Sequence, residues 1–176
     1  MTDRVHLAEG VIVVPALIAC LIACLPRGWV ERAALAGGVV TGGLALVVAG
    51  LTLADPGHPQ VGGWIALDAA AGLLIAVIGV VGLVSVLVSP AYLAAGTSTL
   101  VGEPRRRGVY YVVFFAFWSS LLAVPLAGNL GAAWLLIEAT TAASALLVGF
   151  SGKARALEAG WKYLILTSLG LGVALL

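Results

Sequence analysis

Six runs of apolar residues alternate along the chain with short polar or turn-forming breaks. They cover about residues 5–25, 31–53, 66–93, 108–127, 130–150 and 157–176. A bilayer-spanning helix needs about 20 mostly apolar residues, and each run is near that length. The breaks are Pro26-Arg27-Gly28, Asp55-Pro56-Gly57-His58-Pro59, Gly102-Glu103-Pro104, Gly128-Asn129 and Ser151-Gly152. Proline lacks a backbone donor and glycine is conformationally loose, so these segments end helices rather than continue them. The pattern predicts an all-α integral membrane protein: a bundle of six transmembrane helices forming a single domain over residues 1–176.

The polar positions that interrupt the runs are the candidates for chemistry. Glu138 stands eight residues inside the run that starts at Leu130. At about 1.5 Å per residue it lies roughly 12 Å into a hydrocarbon core of about 30 Å, too deep for easy snorkelling. An ionised carboxylate there costs from about 3 to more than 10 kcal/mol unless a partner, water or a proton relieves it, so intramembrane acids are functional by default. The alternative is a structural carboxyl, protonated or hydrogen-bonded to a neighbouring helix. Lys162 lies in Glu158-Ala-Gly-Trp161-Lys162-Tyr163, about 6 to 8 Å inside the membrane face. An interfacial anchor has this composition, and Glu158, four residues earlier, is placed to pair with the lysine. Glu138 and Lys162 approach from opposite faces, roughly 11 Å apart in depth, so water has to join them. Asp68 and Glu9 sit at the starts of their runs and read as interfacial. Thr140, Thr141, Ser144, Thr167 and Ser168 add hydroxyls that either hold water and neighbours or bond back to their own helices. Of these, Thr141 and Ser144, with Asp68 and Glu158, are candidate relay or structural positions.

Composition narrows the class. Hydrophobic residues make up 62% of the chain and charged residues 10%, against about 25% charged in soluble domains. The 23 glycines favour closely packed helices, and Ala34, Gly38 and Gly42, like Gly72, Gly79 and Gly82, form small-residue ridges suited to helix contact. A net charge of +1 gives no reason to expect nucleic acid. With loops alternating between sides, Arg27, Arg32, Arg105, Arg106, Arg107, Lys153 and Arg155 share one side and Arg4 takes the other. By the positive-inside rule the N-terminus is outside and the basic loops are cytoplasmic, and the expected location is the plasma membrane. Cys20 and Cys24 lie four apart on one apolar face with no His or acidic neighbour and read as packing residues. Asp3, Glu9 and the lack of a cleavage site before Pro26 argue against a signal peptide. No nucleophile and base pair, metal-ligand spacing or phosphate loop appears, so no catalytic centre, metal or cofactor is expected. The run into LGLGVALL has no polar flank, which leads to the expectation that the polypeptide continues or that a separate chain packs there.

The stretch Asn129-Leu130-Gly131-Ala132-Ala133-Trp134-Leu135-Leu136-Ile137-Glu138-Ala139-Thr140-Thr141-Ala142-Ala143-Ser144, followed by Glu158-Ala159-Gly160-Trp161-Lys162-Tyr163-Leu164-Ile165, resembles the antiporter-like membrane subunits of the complex I superfamily. The likeness is greatest to the hydrogenase-4 component F type of membrane-bound group 4 nickel-iron hydrogenases. Leu67-Asp68-Ala69 and Arg106-Arg107-Gly108-Val109-Tyr110-Tyr111 are similar to two further patches of that family, although Ala69-Ala70-Ala71 stand where it more often has a serine. The first two helices match only by position and hydropathy. The resemblance implies that these residues are the N-terminal part of an antiporter-like fold of about fourteen helices, each about 20 residues long. It implies proton translocation through a chain of charged residues and water in which Glu138 is the central carboxylate and Lys162 the neighbouring base. The partners implied are other membrane subunits of a multisubunit redox complex, the lipid bilayer, and protons or sodium. A sodium/proton antiporter or inorganic-carbon uptake subunit of the same superfamily is an alternative, and a non-conducting membrane scaffold is another.

Overall fold

The structure, a computed structural model, describes residues 2–55, 60–62, 64–95, 104–150 and 153–174. The turn signals at Pro56-Gly57-His58-Pro59, Gly102-Glu103 and Ser151-Gly152 lie outside them. Each apolar run becomes one helix: α1 (Thr2–Cys24), α2 (Val30–Leu53), α3 (Ala69–Ala95), α4 (Pro104–Ala123), α5 (Leu130–Gly149) and α6 (Ala154–Ala174). Hydrocarbon offers no partner to a backbone amide, so a spanning segment has to satisfy its own, and a helix does so. Five of the six helices are long and apolar enough to cross a membrane. The remaining one, α6, carries Arg155, Glu158 and Lys162 in its first half. The chain is an all-α, multi-pass membrane protein.

The third run differs at its start from the expected boundary near residue 66. Ile65–Leu67 form a strand, β2, that pairs antiparallel with β1 (Gln60–Gly62), Gln60 lying opposite Leu67. The helix begins only after Asp68, whose carboxylate accepts from the Ala71 amide at 2.7 Å and so caps α3. Ile65 also bridges to Ala127 beyond a 3₁₀ turn at Val124–Leu126, and the Gly128 amide donates to the Trp64 carbonyl at 2.6 Å. A Cβ on Gly128 would stand 2.9 Å from that carbonyl oxygen, which explains the glycine. Asn129 then caps α5 by accepting from the Ala132 amide at 2.8 Å.

Helix α4 is the hub. It packs on α1, α2, α3 and α5, α2 packs on α1 and α3, and α6 reaches the bundle through α5. Its Tyr111, Phe115, Trp118 and Leu122 are buried against Val11 and Ile22 of α1, Ala34 and Ala45 of α2, and Ile75 and Val86 of α3. Polar ties reinforce the hub. The Trp118 indole donates to the Ile78 carbonyl at 3.2 Å, and Ser119 donates to the Ile12 carbonyl at 2.7 Å. Pro15 lies inside α1 and has no amide to give the Val11 carbonyl, next to the Ile12 carbonyl that Ser119 reaches. Both small-residue ridges are seated contacts. A Cβ on Gly38 would crowd Val86, one on Gly79 would crowd Ala45, and one on Gly82 would overlap the Trp118 indole.

Helix direction alternates, and contacts confirm which ends meet. Arg107 at the start of α4 lies 3.7 Å from Glu31 at the start of α2, and Tyr110 packs on Phe150 just after α5 with ring centroids 5.3 Å apart. Arg27, Arg107, Lys153 and Arg155 therefore belong to one end of the bundle.

Candidate functional site

The α5 and α6 helices meet as an antiparallel pair with a tight backbone contact at Gly160. A Cβ there would lie 3.0 Å from the Ala145 carbonyl oxygen, so only glycine lets the two backbones come this near. Counting seven residues back from Ala145 gives Glu138, and counting eight on from Gly160 gives Ser168. Both counts are close to two helical turns on the same face. The two residues accordingly face each other: the Ser168 hydroxyl donates to Glu138 Oε2 at 2.7 Å, and both side chains are half-buried. A hydroxyl that donates to a carboxylate makes one of the stronger protein hydrogen bonds and offsets part of the desolvation of the charge.

Lys162 is placed differently. Its ammonium binds Glu158 on the same helix at 2.5 Å, with both side chains more than half exposed. It lies six residues before Ser168, about 9 Å along α6 from the level of Glu138 and toward the α5–α6 connection. The structure thus joins Glu138 to Ser168 and Lys162 to Glu158, as two separate polar pairs. Among the other hydroxyls, Thr140 donates to the Ile137 carbonyl, Ser144 to that of Thr141 and Thr167 to that of Tyr163, all within their own helices. Thr141 is the α5 side chain that becomes buried. Asp68 is exposed and occupied as the α3 cap, and Glu9 pairs with His6 at 3.1 Å, so neither approaches Glu138 through these bonds. Cys20 and Cys24 are free and exposed. No cluster of three His, Cys, Asp or Glu side chains occurs among the described residues.

Two features were not singled out from the sequence. The Glu31–Arg107 pair crosses from α2 to α4, and its signal was the placement of both residues at the polar margins of their runs. The specific pairing of Ser168 with Glu138, rather than with any other hydroxyl, spans 30 residues and has no local signature.

Over 95 residues the chain is 30% identical to a hydrogenase-4 component F homolog of Methylacidiphilum infernorum (isolate V4). The matched stretch is 54% of this chain and 20% of that protein, so the chain spans about a fifth of the length of the curated relative it matches. No family model matches the chain.

Proposed function

We propose that this chain is a proton-translocating, antiporter-like membrane subunit of a redox-driven assembly of the complex I and membrane-bound hydrogenase type, with Glu138 as its proton-binding carboxylate. The observation that carries this reading is the Ser168–Glu138 hydrogen bond, which holds a mid-span acid between two helices. Likeness to a hydrogenase component supports the same class. In this reading the Ser168 hydroxyl donates to Glu138 while it is ionised and can accept from it once it is protonated, so the pair serves both states. The Glu158–Lys162 pair continues the path toward the α5–α6 connection, and water bridges the roughly 9 Å along the helix between the two pairs. Other membrane subunits complete the path and supply the driving redox chemistry. In this reading the basic end of the bundle faces the cytoplasm and the N-terminus lies outside, which the distribution of Arg and Lys supports, and the membrane is the plasma membrane.

A non-conducting scaffold is the second reading. It is favoured by the outward position of Lys162, whose charge is satisfied by Glu158 without reference to Glu138. The two readings diverge in the Glu138→Gln variant of the intact assembly. Glutamine keeps shape and hydrogen bonding but cannot exchange a proton, so proton uptake in inverted vesicles is expected to fall to near background while assembly and redox activity persist. Pumping at the wild-type ratio of protons to electrons sinks the relay and leaves the scaffold, because a structural carboxyl loses nothing when its charge is removed.

A further inference from the structure

Two apolar grooves open at the basic end of the bundle, one on each side of Val109 of α4. The larger, about 640 Å³, runs between α4, α5 and α6 and is walled by Val113, Ala142, Ala145, Phe150 and Trp161. The smaller, about 340 Å³, lies between the end of α1 and the start of α4, walled by Ile22, Leu25 and Val112, with Arg27 at its rim. Both are of a size that holds small ligands, commonly about 300–1,000 Å³. Arg27 lines the smaller groove, and further basic residues lie close to the lining residues in the chain. Lys153 falls between Phe150 and Leu157, which both line the larger groove, and Arg155 follows in the first turn of α6. Arg105 and Arg106 precede Val109 in the chain.

Among the described residues, the acids near this rim are already engaged. Glu31 is within 3.7 Å of Arg107, and Glu158 binds Lys162. Arg27, Lys153 and Arg155 are exposed and form no ion pair with another described residue. An apolar helix laid in the grooves would leave these cations without counter-charge, whereas a lipid brings apolar chains and an anion together. Trp161, 64% exposed beside the larger groove, has the amphipathic ring that settles at headgroup level.

We propose that this end of the bundle binds one anionic diacyl phospholipid astride Val109, with an acyl chain in each groove and its phosphate among Arg27, Lys153 and Arg155. Basic pockets between transmembrane helices are suited to such headgroups. Neither Glu138 nor Ser168 lines the grooves, and the lipid proposal does not depend on the relay reading.

The test is native mass spectrometry of the purified full-length protein in its assembly, titrated with dioleoyl phosphatidylglycerol and, as reference, dioleoyl phosphatidylcholine. Each cation near an anionic lipid contributes about fivefold, so three give a preference for phosphatidylglycerol on the order of a hundredfold. That preference is expected to shrink as salt rises. Combining Arg27→Gln, Lys153→Gln and Arg155→Gln is expected to make the two lipids bind equally. Ala142→Phe, which fills the larger groove, is expected to weaken both, while Leu169→Phe on another exposed face of α6 leaves both unchanged. Equal binding of the two lipids by the wild-type protein, or a triple variant that keeps its preference, overturns the proposal. So does an Ala142→Phe variant that retains lipid but releases a partner subunit, which assigns the groove to a protein helix.

Discussion

Helices α1 to α4 and the α5–α6 pair are built on opposite terms. In the first group the faces interlock: Trp118, Tyr111 and Phe115 of α4 are almost wholly buried, and glycines of α2 and α3 seat directly against neighbouring side chains. In the second, Thr141 is the buried residue of α5 and Gly160 that of α6, while Leu135, Leu146, Leu166 and Leu169 face outward. The polar chemistry sits in the loosely covered pair. Between lipid-bathed helices no hydrophobic force drives association, so packing and interhelical hydrogen bonds have to supply it. Steric fit dominates in the hub, and one close backbone approach plus one hydrogen bond hold the pair. The difference shows that the tightest packing and the mid-span carboxylate lie in different parts of this bundle. The mid-span carboxylate between α5 and α6 is only half-buried, whereas side chains inside the α4 hub are almost wholly enclosed.

The sharpest way to break this comparison is to add one methyl group on each side of it. Gly82→Ala pushes into the Trp118 indole, and overpacking of this kind costs about 1–3 kcal/mol. Thermal unfolding in detergent is expected to fall by several degrees, and an unchanged midpoint refutes the description of α4 as the hub. Ser168→Ala removes the donor to Glu138 and is expected to cost about 1–2 kcal/mol at the α5–α6 contact. Proton transport should drop with it, whereas Ser168→Thr, which keeps the hydroxyl, should restore most of the rate. Equal transport by the alanine and threonine variants would show that this hydroxyl plays no part. Lys162→Gln breaks an exposed pair and should change stability by at most about 0.5 kcal/mol. A marked loss of proton transport in that variant would tie Lys162 to the relay, and wild-type transport would leave it an anchor. Gly172→Ala is not expected to destabilise at all: nothing stands within 4 Å of its added methyl, and alanine is the better helix former, so stability should hold or rise by up to about 1 kcal/mol. A clear loss there would mean that α6 is packed as tightly as the hub.

Helix number and placement were legible from the chain because a bilayer enforces them. Hydrocarbon thickness sets the length of each apolar run, and the need for internal backbone bonding leaves the helix as its form. Glu138 was legible for the same reason, since its depth follows from counting residues. The β1–β2 hairpin was not, because its strands are three residues long and Leu67 continues an apolar run into α3 without a change of period. Nor could the chain alone choose among Thr140, Thr141, Ser144, Thr167 and Ser168 as the neighbour of the carboxylate, since all are hydroxyls in the middle part of their runs. The register of α5 against α6 made that choice: the seat of Gly160 on Ala145 brings Ser168 level with Glu138, and Thr140, Ser144 and Thr167 turn back to carbonyls of their own helices. Depth in the membrane is a property of one helix and can be read from its sequence. A partner belongs to the contact between two helices, and only their packing decides it.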